Sequence, residues 1–397
     1  MIKLDAKSMI LVVPFWMDLN SSIFYLAAPL MVIEMGANPV EIGLIGTITA
    51  SVHMLLAHVG GRLSDRVGRR ILMVAGPLFF SLSSFLATQA AGVGHILILA
   101  GVNGFGMAIF WPAFQAWVAE SQTGSNLARN IGSFNMSWTA ANLLGPTVSG
   151  ILFSLHPRVP FWAAGALALL LFFVLRSSVG RGVVQPAKEA EPESRDEAGP
   201  DWGRTFLYAI WIANFASWFI MGNLRYQFPK MARDMAMSPS TIGLLLSCLG
   251  FAQFLGFFLL RGSDRWHFHK PFLLGTQVMG AAGLVLLSLF SRPLAFASSF
   301  LLIGLCASMT YYSSLYYSVR LLKRKGKGTG LHESILGSGV VLGPLLGGMA
   351  ALSAGMRAPF LLCLAVLAGA IVVELFLTRK APPSPFPSPP ASGERAG

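Results

Sequence analysis

Charged residues are scarce in this sequence. They make up 12% of its 397 residues, while hydrophobic residues make up 54%. A soluble domain of this size cannot bury that much apolar surface, so a lipid bilayer must surround much of the chain. Apolar runs recur from the N-terminus to residue 378 and leave no room for a soluble domain. We therefore predict an all-α integral membrane protein, since a helix satisfies its own backbone hydrogen bonds in lipid.

Cysteine is almost absent, and so are the sequence marks of several enzyme classes. Cys248, Cys306 and Cys363 lie inside apolar runs at unrelated spacings, which fit neither disulfides nor a metal site. A nucleotide-binding loop of the type Gly-x-x-x-x-Gly-Lys-Ser/Thr is missing, which argues against ATP as the energy source. No acid–base pair or metal cluster has a recognisable spacing. We predict no cofactor, no metal and no enzymatic activity.

Acidic residues are outnumbered, because 29 Lys and Arg face 17 Asp and Glu, for a net charge of +12. The basic residues lie in short inter-helix segments, so membrane topology explains them better than nucleic-acid binding does. The N-terminus, the even-numbered turnarounds and the C-terminus carry 23 of them, and the opposite side carries 6. This asymmetry predicts that both termini are cytoplasmic, in a bacterial inner membrane.

Twelve membrane-spanning helices can be placed in the sequence. Two lysines in Met1–Lys7 precede an apolar run that is too long for a signal peptide, so we predict an uncleaved first helix. Short breaks rich in Gly, Pro and Asn separate many of the spans. The predicted spans are 8–33, 40–61, 71–90, 94–119, 127–154, 159–176, 204–226, 239–261, 271–290, 293–318, 329–353 and 358–378.

Residues 177–203 interrupt this pattern. They are polar and rich in Pro, Glu and Ala, too hydrophilic to span and too short to fold, which predicts a flexible linker. The end of the chain is rich in Pro and Ser and is predicted to be a disordered spacer. We expect a six-helix bundle over 1–176, a cytoplasmic linker over 177–203, a second six-helix bundle over 204–378 and a disordered cytoplasmic tail over 379–397.

The stretch from Gly61 to Arg70 reads Gly-Arg-Leu-Ser-Asp-Arg-Val-Gly-Arg-Arg, with five charges between two apolar runs. So many charges cannot lie in hydrocarbon, which predicts a loop at a membrane face, and the arginines favour the cytoplasmic face. Gly61 and Gly68 allow a tight turn and a close approach, and Asp65 offers a carboxylate to a cation or a helix N-terminus. The spacing resembles the loop 2–3 signature of the major facilitator superfamily.

The two halves of the chain also resemble each other, at an offset of about 200 residues. Such matches in order at a near-constant offset are hard to obtain by chance. The resemblance to the superfamily implies two parallel six-helix repeats with substrate bound between them near mid-membrane. The matching residues are Met35, Pro39 and Ile42-Gly43-Leu44 with Met235, Pro239 and Ile242-Gly243-Leu244, then Gly145, Pro146 and Gly150 with Gly343, Pro344 and Gly348.

The resemblance implies a conformational latch at the cytoplasmic face. Asp65 would dock on the start of helix 11 in one state and leave it in the other, with Thr329 as the expected N-cap. Arg69 or Arg70 would pair with Glu120 at the end of helix 4, at about 1 kcal/mol for an exposed pair. The predicted latch residues are Gly61, Asp65, Arg66, Gly68, Arg69, Arg70, Glu120 and Thr329.

Helix 5 contains Gly145-Pro146-x-x-x-Gly150, which resembles the superfamily's helix-5 antiporter signature. A proline removes one backbone bond and small neighbours let a facing helix approach, which predicts a hinge against helix 8. The pair recurs at Gly343-Pro344 in helix 11, which makes it a weaker mark of an antiporter. Small residues here can also serve packing alone. Export is favoured over import without being decided.

Ionisable groups inside spans are candidates for proton coupling. Asp18 lies about midway through helix 1; it either exchanges a proton or makes a structural hydrogen bond. His332 and Glu333 form a proton relay or gate, or an interfacial cap contact. Arg225 is predicted to end helix 7 and to snorkel to headgroups, with substrate contact as the alternative. Proton-linked drug exporters of the superfamily carry an Arg at the helix-4 position of Ala100, so coupling through that arginine is excluded here.

Aromatic and amide side chains inside the spans predict the cavity. Such a wall suits a small amphipathic molecule, through stacking and a few directed hydrogen bonds, although the same residues also serve packing or the membrane interface. Tyr312 and Tyr316 lie four residues apart on one helical face, as do Trp111 and Gln115. The predicted cavity residues are Trp16, Tyr25, Asn103, Trp111, Gln115, Asn135, Asn214, Trp218, Tyr312 and Tyr316.

These observations predict a secondary active transporter that moves a small organic solute by rocking of its halves. Its partners would be the solute, the lipid bilayer and protons or another coupling ion, with no nucleic acid, and we predict a monomer. Proton-coupled export through Asp18 or Glu333 is the first expectation. The alternatives are an uptake permease or uniporter for a nutrient, and a membrane sensor that keeps the fold without transport.

Overall fold

The computed structural model describes residues 6–120, 127–178, 201–261, 266–267, 269–322 and 325–380, without the side chains of 6–7, 119–120, 127–133, 201–202, 325–327, 329 and 380. Every predicted span is an α-helix. Most of the predicted linker and nearly all of the predicted tail lie outside the described residues. The helices are α1 Ala6–Glu34, α2 Pro39–Val67, α3 Arg69–Ala87, α4 Val93–Glu120, α5 Leu127–Leu155, α6 Val159–Ser178, α7 Asp201–Asp234, α8 Pro239–Arg261, α9 Lys270–Leu289, α10 Pro293–Leu321, α11 Lys325–Ala354 and α12 Ala358–Leu377.

Among the described residues, eleven of the helices are long and apolar enough to cross a membrane. The remaining one, α5, carries many Ser, Thr and Asn side chains, which lower its hydropathy. Its place between α4 and α6 in the chain still requires it to cross, because α6 is itself one of the apolar helices. The prediction of an all-α protein with twelve membrane helices is confirmed.

The internal repeat is visible in the turns before α2 and α8. The Asn38 side chain accepts hydrogen bonds from the amides of Val40 and Glu41, while the Glu41 carboxylate accepts from the Asn38 amide, which closes a capping box. Before α8, Ser238 caps the amide of Thr241 in the same way. The preceding residues, Gly36 and Ala236, both have positive φ, at 84° and 59°. Related sequences at the two sites therefore build the same turn.

Helices α1 to α6 pack on one another, α7 to α12 do the same, and α2, α5, α8 and α11 form most of the boundary between the two halves. We call the end where α2 meets α3, at Gly68, the basic end, and the end where α1 meets α2, at 35–38, the far end. One hydrophobic cluster at the far end contains residues of both halves. At the basic end each half has its own separate cluster. The halves are therefore joined at the far end and part towards the basic end.

Among the boundaries that differ from the prediction, three change a functional assignment. The predicted loop from Gly61 is helical to Val67, so Gly68 alone separates α2 from α3. Helix α11 begins at Lys325, so Thr329 lies inside the helix and is not its N-cap. Helix α7 continues to Asp234, beyond the predicted end at residue 226. In each case, polar residues that ended the predicted span continue the helix past the apolar region, as charged sequence with ordinary helix propensity can.

Candidate functional site

A pocket of about 460 Å³ of empty volume, including its opening, lies between the two halves. Helices α1 and α5 of the first half and α7 and α8 of the second half form its walls. The position agrees with the expected substrate site between the repeats. The lining residues are Ser22, Tyr25, Leu26, Asn142, Pro146, Met221, Arg225, Leu246, Leu249, Gly250 and Gln253.

Asn142 of α5 joins the two halves within this pocket. Its Oδ1 accepts hydrogen bonds from Ser22 Oγ of α1 at 3.1 Å and from Arg225 Nη2 of α7 at 3.2 Å. Its Nδ2 donates to the carbonyl of Trp138 at 3.0 Å, which fixes the orientation of the amide. Gly250 of α8 lies directly against the Asn142 backbone, where a Cβ would meet the carbonyl group. A guanidinium and an amide are thus held together at the boundary.

Gln253 of α8 is fully buried in the pocket wall, and both polar atoms of its amide lack a hydrogen-bond partner among the described residues. Leaving a buried polar group unpaired costs about 1–3 kcal/mol, so nearly all such groups in folded proteins have partners. An amide that lines a pocket can be satisfied by water or by a bound solute. Gln253 is therefore a candidate for direct contact with substrate.

Asp18 of α1 is half-buried and close enough to Arg225 to interact with it electrostatically. Tyr25 lies in the field of both groups, and its hydroxyl contacts Met107 Sδ at 2.7 Å. Opposite charges on α1 and α7 therefore face the same region between the halves. A charged pair inside a membrane protein is typical of a substrate or ion pathway.

The prediction that Arg225 ends its helix is wrong. The helix continues for nine residues beyond it, to Asp234, and the guanidinium is bonded to Asn142 in the pocket. Snorkelling to headgroups was therefore the wrong choice, and the alternative of substrate contact agrees with its position. The error came from ending the helix where hydropathy falls, although α7 packs against other helices there and needs no lipid.

Four aromatic rings from four helices meet beside the pocket. The Tyr311 ring lies 5.7 Å from Trp138, 5.9 Å from Trp218 and 5.5 Å from Phe257, measured between ring centroids. The Trp138 and Phe257 rings lie 5.8 Å apart at a steep angle. Edge-to-face groups of this kind stabilise packing and also offer faces to a flat apolar ligand. We call Trp138, Trp218, Phe257 and Tyr311 the aromatic cage.

The cage is connected to the predicted proton residues of α11. The His332 ring lies 4.9 Å from the Tyr311 ring, and its Nδ1 shares a 2.8 Å hydrogen bond with Ser314 Oγ. Its Nε2 has no described partner. Glu333 is exposed, and it interacts electrostatically with Tyr311, as does Asp18. Tyr311 is therefore within electrostatic range of acidic groups on both α1 and α11.

The predicted cavity residues divide into three groups. Tyr25 lines the pocket and Trp218 belongs to the aromatic cage. Two others contact the cage without belonging to it: Asn135 accepts from Trp138 Nε1 at 3.1 Å, and the Tyr312 ring lies 6.0 Å from Phe257. The rest lie elsewhere: Asn103 bonds Ser83 at 3.4 Å inside the first half, Trp111 packs in the cluster of that half, Trp16 packs beside that cluster, Gln115 is exposed, Asn214 is buried in α7, and Tyr316 contacts Trp266, as Tyr312 also does.

In both α10 and α5, the helical face that carries the contacts differs from the face that was predicted. In α10, Tyr311 contacts three rings of the aromatic cage, whereas Tyr312, one residue away, contacts only Phe257 of the cage, at 6.0 Å, and also Trp266. The Tyr316 ring stacks on His267 at 4.4 Å. In α5, Asn142 lines the pocket, and Trp138, four residues away on the same helical face, belongs to the aromatic cage. The signal for α5 was present in the sequence, because an amide four residues from a tryptophan repeats the Trp111–Gln115 spacing.

The predicted hinge glycines and prolines lie at tight helix contacts. A Cβ on Gly43 would collide with the Pro344 carbonyl, and a Cβ on Gly243 would collide with the Pro146 carbonyl. Gly150 likewise lies on the Pro239 carbonyl. Inside the halves, Gly145 lies against Ser22 of α1 and Gly343 against the Phe219 carbonyl of α7. These positions need glycine for close approach, and the hinge role remains a prediction.

The latch residues make local contacts in this structure. Asp65 pairs with Arg69, and its side chain is 62% exposed. Arg69 Nη1 also bonds Ser64 Oγ at 2.8 Å, and Arg70 Nη2 donates to the Arg176 carbonyl at 2.8 Å. Gly68 has φ 96°, which favours glycine. Gly60, rather than the predicted Gly61, makes the close approach, which is to the Ala108 carbonyl. Arg66 is exposed. The side chains of Glu120 and Thr329 lie outside the described residues.

Similar proteins of known structure share this architecture. A bacterial homologue of the human lysosomal transporter Spinster, in an inward-facing and unoccupied conformation, superposes with a TM-score of 0.73 at 15% identity over 94% of this chain and 96% of that one. The nucleoside transporter NupG superposes with a TM-score of 0.72 at 11% identity, covering 94% and 99%. At these identities the likeness concerns the fold.

Sequence relatives agree with the fold. Multidrug resistance protein 1 of Bacillus subtilis is 25% identical over 381 residues, covering 89% of this chain and 91% of that protein. The quinolone resistance protein NorA of Staphylococcus aureus is 21% identical over 354 residues, covering 87% and 89%. The family model of the Major Facilitator Superfamily matches residues 10–209 and again 210–396. This chain is therefore a multi-pass membrane transporter that belongs to the Major Facilitator Superfamily.

Proposed function

We propose that this transporter exports a small amphipathic organic solute by alternating access, in exchange for protons. The observation that carries the proposal is the pocket between the halves, which Arg225 lines. Asp18 interacts electrostatically with Arg225 and with Tyr311 of the aromatic cage. Two relatives, a multidrug resistance protein and a quinolone resistance protein, support a choice of drug-like solutes. The identities of 25% and 21% leave the solute itself to the chemistry of this pocket.

The orientation follows from charge. The basic end carries most of the Lys and Arg, which favours the cytoplasmic side of a bacterial inner membrane and places both termini there. The structure, with its halves joined at the far end, would then be open to the cytoplasm. That is the state in which an exporter loads its solute. Docking of Asp65 on α11 would belong to the opposite state, and its pairing with Arg69 agrees with this assignment.

Recognition combines apolar faces with a few polar groups. The aromatic cage offers ring faces, while Arg225, Asn142 and Gln253 offer hydrogen-bond donors to an acceptor on the solute. Asp18 offers a carboxylate to a cationic or donor group of the same molecule. A flat solute with a cationic group at one side and an acceptor at the other matches this set.

Coupling follows from competition for Asp18. A proton and a cationic solute cannot both occupy one carboxylate, so binding of the solute releases the proton and binding of the proton releases the solute. That competition is what exchange requires. Glu333, exposed on the side of the basic end, and the unpartnered His332 Nε2 provide groups along which protons can leave Asp18 past Tyr311.

A second candidate function, uptake of an anionic nutrient with a proton, is favoured by Arg225. An anion that binds the guanidinium competes with ionised Asp18, so a proton on Asp18 would strengthen binding. The two functions therefore predict opposite effects of the same substitution. Asp18→Asn, which imitates the protonated acid, would weaken the binding of a cationic solute. It would leave the binding of an anionic solute at least as strong as in the wild type.

The test uses ethidium, a flat aromatic cation, and the full-length protein in proteoliposomes. Binding is followed by quenching of tryptophan fluorescence. Transport is followed by accumulation of the dye against its own concentration gradient, driven by a proton gradient. We expect Asp18→Asn to raise the Kd for ethidium roughly tenfold or more, since a charge-assisted contact is worth about 1.5–3 kcal/mol. Uphill transport should disappear.

The matched control is Asp234→Asn, which removes the same charge from an exposed carboxylate paired with Lys230 at the far end. It should leave ethidium binding unchanged. Equal binding by the wild type, Asp18→Asn and Asp234→Asn would contradict a role of Asp18 in recognition. Ethidium transport that persists uphill in Asp18→Asn would contradict the coupling role.

A further inference from the structure

Glu374, near the end of α12, is a carboxylate inside the second half that the cavity does not use. It is 1% exposed, and its Oε2 accepts a 2.7 Å hydrogen bond from Gln277 Nε2 of α9, which is fully buried. Neither residue lines the pocket between the halves. The pair therefore forms a separate polar site, enclosed by helices of one half and three residues before the end of α12 at the basic end.

Among the described residues, no cation forms an ion pair with this carboxylate. On α10, the Cys306 thiol interacts with it electrostatically and contacts Ser217 Oγ of α7 at 3.7 Å. On α9, the Lys270 ammonium donates to the Thr378 carbonyl, one turn beyond Glu374 along the chain. Among the described side chains, the other ionisable groups at this end on the elements packed against α12 are His269 at the start of α9, Arg204 and Tyr208 of α7, Glu333 of α11 and Arg379. His269 is half-buried and the other four are exposed. His332 of α11 is hydrogen-bonded to Ser314.

Two oxygens of the pair lack donors. Glu374 Oε1 and Gln277 Oε1 are both buried and have no hydrogen-bond partner among the described residues. Both are acceptors when the acid is ionised, so neither can satisfy the other. A proton on Glu374 turns one of them into a donor and removes the charge. An uncharged acid bonded to an amide is a stable group in a low-dielectric interior, whereas an ionised carboxylate without a cation is costly there.

We propose that Glu374 and Gln277 form a proton-binding site inside the second half, apart from the central pocket and occupied in this conformation. The ligand is a proton, held by the carboxyl group and oriented by the amide. Its position near the basic end gives it a short path to that face. The site does not depend on the proposed export function, because it concerns a different group of residues.

The experiment is infrared spectroscopy of the full-length protein in lipid at neutral pH, in H₂O and in D₂O. A protonated carboxyl group has a C=O absorption distinct from that of a carboxylate, and the band shifts in D₂O. We expect this band in the wild type and its loss in Glu374→Gln, which keeps the shape of the side chain and can still bond the amide. Asp234→Asn, at an exposed acid, should leave the band unchanged.

A second variant keeps the proposal testable if Glu374→Gln does not fold. Gln277→Met keeps the length of the side chain and removes its donor, so the C=O band of Glu374 should move to higher frequency while its intensity stays. An acid band that is unaffected by both substitutions would overturn the proposal. The proposal would also be overturned if the spectra of the wild type and Glu374→Gln differed only in carboxylate absorption, since Glu374 would then be ionised.

Discussion

The two helix pairs that join the halves are built alike and differ in their chemistry. In the α2–α11 pair, Gly43 faces the Pro344 carbonyl, and Gly348 lies on the Pro39 carbonyl. In the α5–α8 pair, Gly243 faces the Pro146 carbonyl, and Gly150 lies on the Pro239 carbonyl. The same contact occurs twice, with the roles of the halves exchanged. Both pairs thus allow backbones to approach at the far end, as two related repeats require.

The polar groups are distributed unequally over the two pairs. At α5–α8, Asn142 holds Arg225, Gln253 faces the pocket, and Thr147 bonds Ser247. The described hydrogen bonds at α2–α11 come from neutral groups, with Thr47 donating to the Val341 carbonyl at 2.9 Å and Gln227 of α7 donating to the carbonyls of Pro39 and Pro344. The first pair is therefore suited to recognition and the second to closure.

Substitution of the facing glycines should produce the largest effect and separate these roles. Gly243→Ala and Gly43→Ala each place a methyl group against a backbone oxygen, so the far end cannot close and transport should fall at least tenfold. Only Gly243→Ala should also weaken ethidium binding, because α8 lines the pocket. Transport and fluorescence quenching in proteoliposomes measure the two effects.

Gly275→Ala in α9 is the control, since a Cβ there meets no neighbour within 4 Å. It should leave both quantities unchanged. Equal loss of binding in Gly43→Ala and Gly243→Ala would remove the distinction between the two pairs. Normal transport in either variant would show that its glycine contact is not needed for closure.

Gln227→Leu should produce an intermediate effect that is confined to closure. The substitution removes donors to two carbonyls, at 3.0 and 3.3 Å, from a fully buried position. The loss should weaken the closed far end by about 1–3 kcal/mol, because buried acceptors are left unpaired. Spin labels at positions 34 and 233, across the contact of Glu34 with Arg233, should report a larger open population.

Thr47→Val serves as the comparison, because it removes one donor from the same pair of helices and should give a smaller shift in the same direction. Ethidium affinity should not change in either variant. A change in affinity with no change in the spin-label distance would contradict a closing role for Gln227.

Ser247→Ala should give the smallest effect, at the α5–α8 pair. Ser247 Oγ lies 2.7 Å from Thr147 Oγ1 and accepts from the Thr147 amide at 3.2 Å. Its loss should cost about 0.5–1.5 kcal/mol, seen as a lower thermal-unfolding midpoint with transport largely retained. A loss of transport as large as that of Gly243→Ala would show that this hydroxyl pair, rather than the glycine contact, governs the α5–α8 pair.

The fold could be predicted almost completely from the sequence, and the reason is physical. Long apolar runs must be helices in lipid, and their order, together with the recurring Pro39 and Pro239 turns, specifies two related halves. The predicted helix ends outside the apolar runs were wrong. Polar residues continue α2 to Val67 and start α11 at Lys325, where hydropathy carries no information about the backbone.

The site was less predictable, because residue type does not specify which face of a membrane helix meets a partner. Tyr311 and Tyr312 are adjacent and chemically identical, and both contact Phe257, yet only the first contacts Trp138 and Trp218 while the second contacts Trp266. Asp18 was accessible to sequence reasoning as an ionisable group in a span. Glu374 met the same criterion, in α12, and its pairing with Gln277 of α9 depends on a contact across 97 positions.

The one-residue joint at Gly68 has a mechanical consequence for the end of α2. From the contact of Gly43 to Asp65 the helix is continuous over 22 residues, or about 33 Å, so in the proposed alternating-access motion it would act as a lever pivoted at the far end. A tilt of roughly 10° about that pivot displaces Asp65 by roughly 6 Å, more than the reach of a hydrogen bond. Since α3 starts immediately after Gly68, the same motion would displace it as well. A small rotation where the halves touch would thus become a displacement large enough to make or break contacts at the opposite membrane face.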